Sequence, residues 1–194
     1  PDVPRATPQQ VQFGIVQGGT YKDLRDLSVA GTIAVGFDAY AIGGLSVGEP
    51  VDVMYEVTGH AAAQLPEDRP RYLMGTGMPD DLVESVARGI DLFDCVLPTR
   101  NARNGMAFTS AGPINIRNAA YAKDPAPIDP GCSCVACTRF SRAYWRHLHQ
   151  AGEILAHRML TLHNVTFYQT LMAEAREAID RGAFDAFDRE FRHR

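Results

Sequence analysis

In the first hundred residues a short run of apolar or β-branched residues recurs four times, at Phe13–Gln17, Phe37–Ile42, Arg71–Met74 and Leu92–Val96. Apolar side chains occupy successive positions in these runs, the pattern of parallel strands buried on both faces. Each run leads into a loop, often glycine-rich, and the first three continue into helical periodicity. Two of the predicted helices start at a proline: Pro50 follows Glu49, and Pro79 precedes Asp80 and Asp81. Proline lacks an N–H that the first helical turn would leave unpaired anyway, so it marks a start. The pattern therefore predicts βα repetition and a parallel α/β sheet. Four such units suit half of a (β/α)8 barrel or a doubly wound sheet, and periodicity alone does not separate the two.

The character changes after Val96. The stretch MAFTSAGPINIR reads as two short strands around a Ser110-Ala111-Gly112-Pro113 turn, followed by a proline-rich segment and a cysteine cluster. This predicts a small inserted subdomain. From Arg139 onward the chain reads as helical, with a break at Gly152, a boundary near His163-Asn164, and an amphipathic helix from Val165 to Arg181 ending at Gly182. The expected segments are 1–96, 97–163 and 164–194.

Length and composition limit the function classes. The chain has 194 residues and 45% hydrophobic content, enough for a buried core. It has no run of about 18 apolar residues, and PDVPRATPQQ offers neither a basic nor an apolar leader region. A cytoplasmic protein without membrane contact is expected. Pro1 in place of Met, with a strand so soon after it, suggests a piece of a longer chain. The net charge is −4, but residues 96–165 hold eight Lys or Arg against three acids, a local +5 that leaves −9 elsewhere. Such a block is often just a solvated face, although it also suits a phosphate-rich partner.

Two constellations carry chemistry. Cys132, Cys134 and Cys137 form C-x-C-x2-C after Asp129-Pro130-Gly131. Thiolates this close on a turn can reach one tetrahedral Zn²⁺, with a fourth ligand from a neighbouring helix. By spacing, His147, His149, His157 and His163 all qualify. Three Cys and one His leave no open position, so such a zinc would be structural. The second constellation is Asp94, a carboxylate set in the apolar run Leu92–Val96. A charge there is costly unless it is used, and strand ends in barrels face the active site. Cys95 is the competing nucleophile, but alternation lets only one of the two neighbours face a pocket.

The order and spacing of FGIVQGG, GFDAYAIGGLSVGEP, FDCVLPTRNARNG, GPINIRN, CSCVAC and LHN resemble the bacterial tRNA-guanine transglycosylases over essentially the whole chain. The resemblance implies a (β/α)8 barrel of which this chain supplies the last four βα units, with a zinc subdomain after the last strand. It implies that Asp94 is the nucleophile and that Cys132, Cys134, Cys137 and His163 are the zinc ligands. Gln17, Gly43, Gly44 and Leu45 match base-recognition positions, and Tyr72 and Met74 match residues that sandwich the base. Arg100, Asn101, Arg103 and Asn104 match the loop that holds the anticodon. Val47 stands where bacterial members carry valine, which implies a small pocket and 7-aminomethyl-7-deazaguanine, rather than queuine, as the incoming base.

The same resemblance implies partners. The tRNA anticodon stem-loop and the deazaguanine base would be substrates, with no redox cofactor. The first half of the barrel, with a second aspartate that recognises the base, lies outside this sequence. The chain alone is therefore expected to be inactive, to pair with that missing half, and to form a homodimer as its relatives do. The alternative is a non-catalytic tRNA-binding partner subunit, which would have no need to keep Asp94, Gln17, Arg100 and Arg103 together.

Overall fold

Four parallel strands organise the first half of the chain: β1 (Phe13–Val16), β2 (Ala39–Ile42), β3 (Arg71–Leu73) and β4 (Leu92–Phe93). The structure is a computed structural model that describes residue 7 and residues 9–193, so most of the polar lead-in and the last residue lie outside the described residues. Neighbours in the sheet follow chain order, β1-β2-β3-β4, with no reversal point. Helices α1 (Lys22–Val35), α2 (Val51–Ala62) and α3 (Pro79–Ala87) connect the strands. As the sequence predicts, Pro79 sits in the first turn of α3 and Pro50 caps α2. Val96 is the first residue of a second compact unit, so the chain divides into residues 1–95 and 96–194.

Among the described residues, helices α1 and α2 pack on one face of the sheet. Val16 pairs in register with Ile42, Ile42 with Leu73, and Leu73 with Phe93. Val29 of α1 and Met54, Val57 and Ala61 of α2 close over Val16, Ile42 and Leu73 to form the core. Alternation puts Ile15, Ala41, Tyr72 and Leu92 on the other face. There Ile15 is 46% exposed and Leu92 44% exposed. The expectation of strands buried on both faces therefore holds for β2 alone, whose four residues are all buried. β1 and β4 are edge strands of this sheet, and β4 ends two residues into the predicted run.

The second unit folds around a different core. Helix α4 (Leu97–Arg103) leads into the hairpin β5 (Met106–Ala107) and β6 (Ile114–Asn115), with Ala107 opposite Ile114. The short α5 (Val135–Arg139) and α6 (Arg142–Gln150) follow, then the long α7 (Ile154–Asp180) and α8 (Phe184–Phe191). Ser141 caps α6 by accepting from the Tyr144 N–H at 3.2 Å. Trp145 is wholly buried, and its Nε1–H donates to the Ala136 carbonyl at 2.9 Å, which braces α5.

Two expectations fail here. Arg100, Asn101 and Arg103, expected in a loop, lie in the helix α4, and Asn104 caps it. The boundary expected near His163-Asn164 falls inside α7, a single helix of 27 residues. Its buried stripe runs Ala156, Leu160, His163, Asn164, Tyr168, Leu171, Ala175 and Ala178, at helical spacing throughout. The polar pair reads as an interruption in sequence, yet both side chains point inward.

Candidate active site and metal centre

Because Val16, Ile42, Leu73 and Phe93 lie in register, the residues that follow them form one row across the C-terminal end of the sheet. That row is Gln17, Gly43, Met74 and Asp94. Asp94 is thus the first residue past β4 and is exposed, not embedded in a strand as the sequence suggested. Tyr72 lies two residues before Met74 on the same face, and its hydroxyl donates to Asp94 Oδ1 at 2.5 Å. The Gly75 N–H donates to the same oxygen at 2.9 Å. These two donors, Tyr72 first, hold the Asp94 carboxyl below the usual carboxylate range despite some desolvation. The same contact pushes the Tyr72 phenol up to about 12, so at neutral pH the proton stays on tyrosine and the charge on aspartate. Cys95 is half-buried with its Sγ 4.0 Å from the Gly77 carbonyl.

The two glycines beside Gln17 are required by space. A Cβ on Gly43 would lie 2.7 Å from Gln17 Nε2, and one on Gly44 would lie 2.7 Å from Gln17 Oε1. The Gln17 amide therefore rests on bare backbone, which only glycine provides. Beyond it the chain makes a tight strap. Leu45 is buried, Ser46 has a positive φ of 57°, and Val47 is 81% exposed. The Glu49 carboxylate accepts from the Ser46 N–H and, at 3.0 Å, from the Val47 N–H. Met74 is half-buried in the row, and the Tyr72 ring meets Phe13 edge-on at 5.9 Å.

In the second unit the ligand atoms of Cys132, Cys134, Cys137 and His163 all lie within 4.8 Å of one another. His163 Nδ1 is 3.3 Å from Cys137 Sγ and 3.6 Å from Cys134 Sγ. Its other nitrogen, Nε2, is 2.7 Å from the Phe108 carbonyl, so Nε2 carries the proton and Nδ1 presents its lone pair to the sulfurs. That tautomer is the one a metal ligand needs. Burial pushes the Cys132 and Cys137 thiols up and His163 down, a cost that a bound cation would offset. Asp129 holds the cysteine loop by accepting from Gly131 N–H and from both the N–H and hydroxyl of Ser110. The donor set suits one metal ion. Of the rival histidines, His149 and His157 meet each other instead, with ring centroids 5.1 Å apart.

The profile of the family described as Queuine tRNA-ribosyltransferase matches residues 3–194. The chain belongs to the queuine tRNA-ribosyltransferase family. Proteins with that name are 56% identical over 180 residues in Methylobacillus flagellatus, 58% over 179 in Vibrio cholerae and 55% over 179 in Idiomarina loihiensis. These alignments cover 93%, 92% and 92% of this chain and 49%, 47% and 48% of the relatives. The chain thus spans about half the length of the curated relatives it matches.

Of the residues singled out from this family's motifs, the structure gathers Gln17, Gly43, Gly44, Tyr72, Met74 and Asp94 at one sheet end. The four cysteine and histidine positions come together in the other unit. Arg100 and Arg103 are exposed on α4, Asn101 is half-buried, and Asn104 caps that helix. Not all of the local positive charge is free: Arg142 pairs with Asp124 at 3.3 Å and packs over the Tyr121 ring. Among the described residues no helix is long and apolar enough to cross a membrane.

Several supporting residues were missed in the sequence. Gly75 donates to Asp94 through its backbone, which no side-chain motif reveals. Asn164 accepts from Phe108 N–H at 3.0 Å and donates to the carbonyls of Pro98 and Met106, both at 3.0 Å. Its position on the buried stripe of α7, next to His163, was the available signal.

Proposed function

We propose that this chain supplies the nucleophile-bearing half of a tRNA-guanine transglycosylase built on a (β/α)8 barrel. The consecutive strand order and the helices gathered on one face support a half-barrel, since a doubly wound sheet reverses its order and covers both faces. The observation that carries the reading is Asp94, a carboxylate kept ionised at the open end of the sheet by Tyr72 and Gly75. Displacing a purine from ribose passes through an oxocarbenium-like transition state, which an adjacent carboxylate stabilises and then captures.

The exchange balances without redox chemistry. The Asp94 oxygen bonds to ribose C1′ as the bond from C1′ to guanine N9 breaks, and the electron pair leaves with guanine, which takes up a proton. The incoming 7-aminomethyl-7-deazaguanine then attacks C1′, loses a proton and releases the carboxylate. Gln17, Gly43, Gly44 and Leu45 would read the polar edge of the base, with Met74 and the Tyr72 ring against its face. Val47 on the exposed strap would favour this base over queuine.

Cys132, Cys134, Cys137 and His163 would hold one Zn²⁺, and with four protein donors its contribution is structural. Arg100, Asn101, Arg103 and Asn104 would contact the anticodon loop, where RNA is read by stacking and hydrogen bonds to unpaired bases. The reading further implies a cytoplasmic enzyme, a homodimer, and dependence on the first half of the barrel. The test is incorporation of labelled guanine into an anticodon stem-loop by this chain, alone and mixed with a family N-terminal half. Incorporation in the mixture alone is expected. RNA binding without exchange in any mixture would favour a non-catalytic tRNA-binding subunit.

A further inference from the structure

Arg25 of α1 is wholly buried, and its donors go to backbone carbonyls. Nε donates to Gly19 O at 2.9 Å, Nη1 to Val16 O at 3.2 Å and Nη2 to Gly44 O at 3.4 Å. Burial lowers its pKa, with Glu49 acting in the opposite sense. A buried guanidinium is costly, and a leucine or methionine would pack α1 against the sheet without that cost. The three carbonyls explain its presence. They belong to the end of β1, the Gly18-Gly19 turn and the start of the strap after β2, so one side chain ties together the two loops that flank Gln17.

This tie determines which way peptide groups face. In a trans peptide the C=O and the following N–H point in opposite directions, and the described chain has no cis bonds. With Gly44 O turned to Arg25, the Leu45 N–H is directed away from it. At the other loop, Val16 O accepts from Arg25 while the Gln17 N–H donates to Ser28 Oγ at 3.0 Å. Val16 O also accepts the ladder bond from the Gly43 N–H at 3.0 Å, so Arg25 is its second donor, while Ser28, one turn further along α1, holds the other side of the Val16–Gln17 peptide at the root of the Gln17 side chain. Glu49 holds the far end of the strap through Ser46 and Val47.

We propose that Arg25 is a positioning residue for base recognition: it fixes the edge that the Gly44–Leu45 peptide offers and the origin from which Gln17 reaches, for a purine-like ligand with mixed donors and acceptors. This rests on the transglycosylase reading. The test is steady-state guanine exchange by the full-length enzyme that contains this chain, comparing wild type, Arg25→Gln and Arg25→Lys. Melting temperature and bound metal are recorded for each. The KM for guanine should rise about tenfold or more in Arg25→Gln, as expected when a charge-assisted tie is lost. The kcat and the KM for the stem-loop RNA should stay within about twofold, because only base binding is changed. Arg25→Lys keeps the charge but cannot reach three carbonyls, so its KM for guanine should fall in between.

If Arg25→Gln does not fold, Arg25→Lys carries the same comparison. A folded variant with unchanged KM for guanine overturns the proposal. So does a loss that affects both KM values alike and follows the melting temperature, since that is a purely structural role. A full-length wild type that exchanges no guanine overturns the transglycosylase reading and this inference with it.

Discussion

In residues 96–194 the polar side chains that organise the fold are turned inward: His163 and Asn164 are wholly buried and satisfied by Phe108, Pro98 and Met106. In residues 1–95 the corresponding polar side chains, Gln17 and Asp94, are exposed at a strand end, on a sheet face that helices leave uncovered among the described residues. The difference separates two uses of polarity. Buried, hydrogen-bonded polar groups specify one arrangement of a small unit whose apolar core is limited. Exposed polar groups fixed by a few donors keep their charge available for a ligand. Arg25 lies between these cases, being buried itself while holding the backbone of the exposed row.

The comparison breaks most visibly on metal removal. On the proposed zinc reading, chelation, or Cys137→Ser, should unfold the cysteine loop and its hairpin, because a structural zinc site contributes about 10 kcal/mol to folding. Hydrogen exchange is the readout: protection should vanish at α5 and β5 while the amides of β2 stay protected. Loss of protection at β2 to the same degree would show that the two units do not fold separately.

In the first unit, Asp94→Asn should cost on the order of 10⁴-fold in guanine exchange by the reconstituted enzyme. It should leave the melting temperature almost unchanged, because the side chain is exposed. A large loss of stability would mean that Asp94 is structural.

Asn164→Ala should do the reverse. It leaves Phe108 N–H and the carbonyls of Pro98 and Met106 without their partner, at a cost of about 3 kcal/mol. Denaturant unfolding would show this as an earlier midpoint for the second unit.

The smallest effect is expected from Tyr72→Phe, which removes the main donor holding Asp94 ionised. Exchange should fall about tenfold, the worth of a hydrogen bond to a charged group. Asp94 has a lowered pKa, so wild-type activity persists as pH falls until it passes through that lowered value. In Tyr72→Phe the acidic limb should therefore shift to higher pH, and an unshifted limb would remove Tyr72 from this role.

Much of this was legible in the sequence because the chemistry sits in short contiguous motifs. Four apolar runs, each followed by a turn, were enough to place four strands, and C-x-C-x2-C placed three thiols on one turn. Spacing could not choose among four histidines, since that choice depends on which face of α7 meets the cysteine loop. All four strands are shorter than their apolar runs, β4 by three residues and the interior β2 by two, because apolar residues continue past the last ladder bond into the flanking turns. The helix α4 stands where the resemblance implies a loop, although LPTRNAR has a proline at its second position and no further breaker. Residues whose role is to hold backbone, such as Arg25 and Asn164, gave the weakest signal. Their partners are carbonyls and N–H groups, which every residue carries.

The central claim is that Asp94, rather than the neighbouring Cys95, bonds to the ribose. It is tested most directly by incubating the reconstituted enzyme with an anticodon stem-loop, trapping the protein–RNA adduct under denaturing conditions, and mapping the modified residue by mass spectrometry. The account predicts an adduct on Asp94 that is absent from Asp94→Asn and kept in Cys95→Ser. An adduct on Cys95, or none from an enzyme that exchanges guanine, would contradict it.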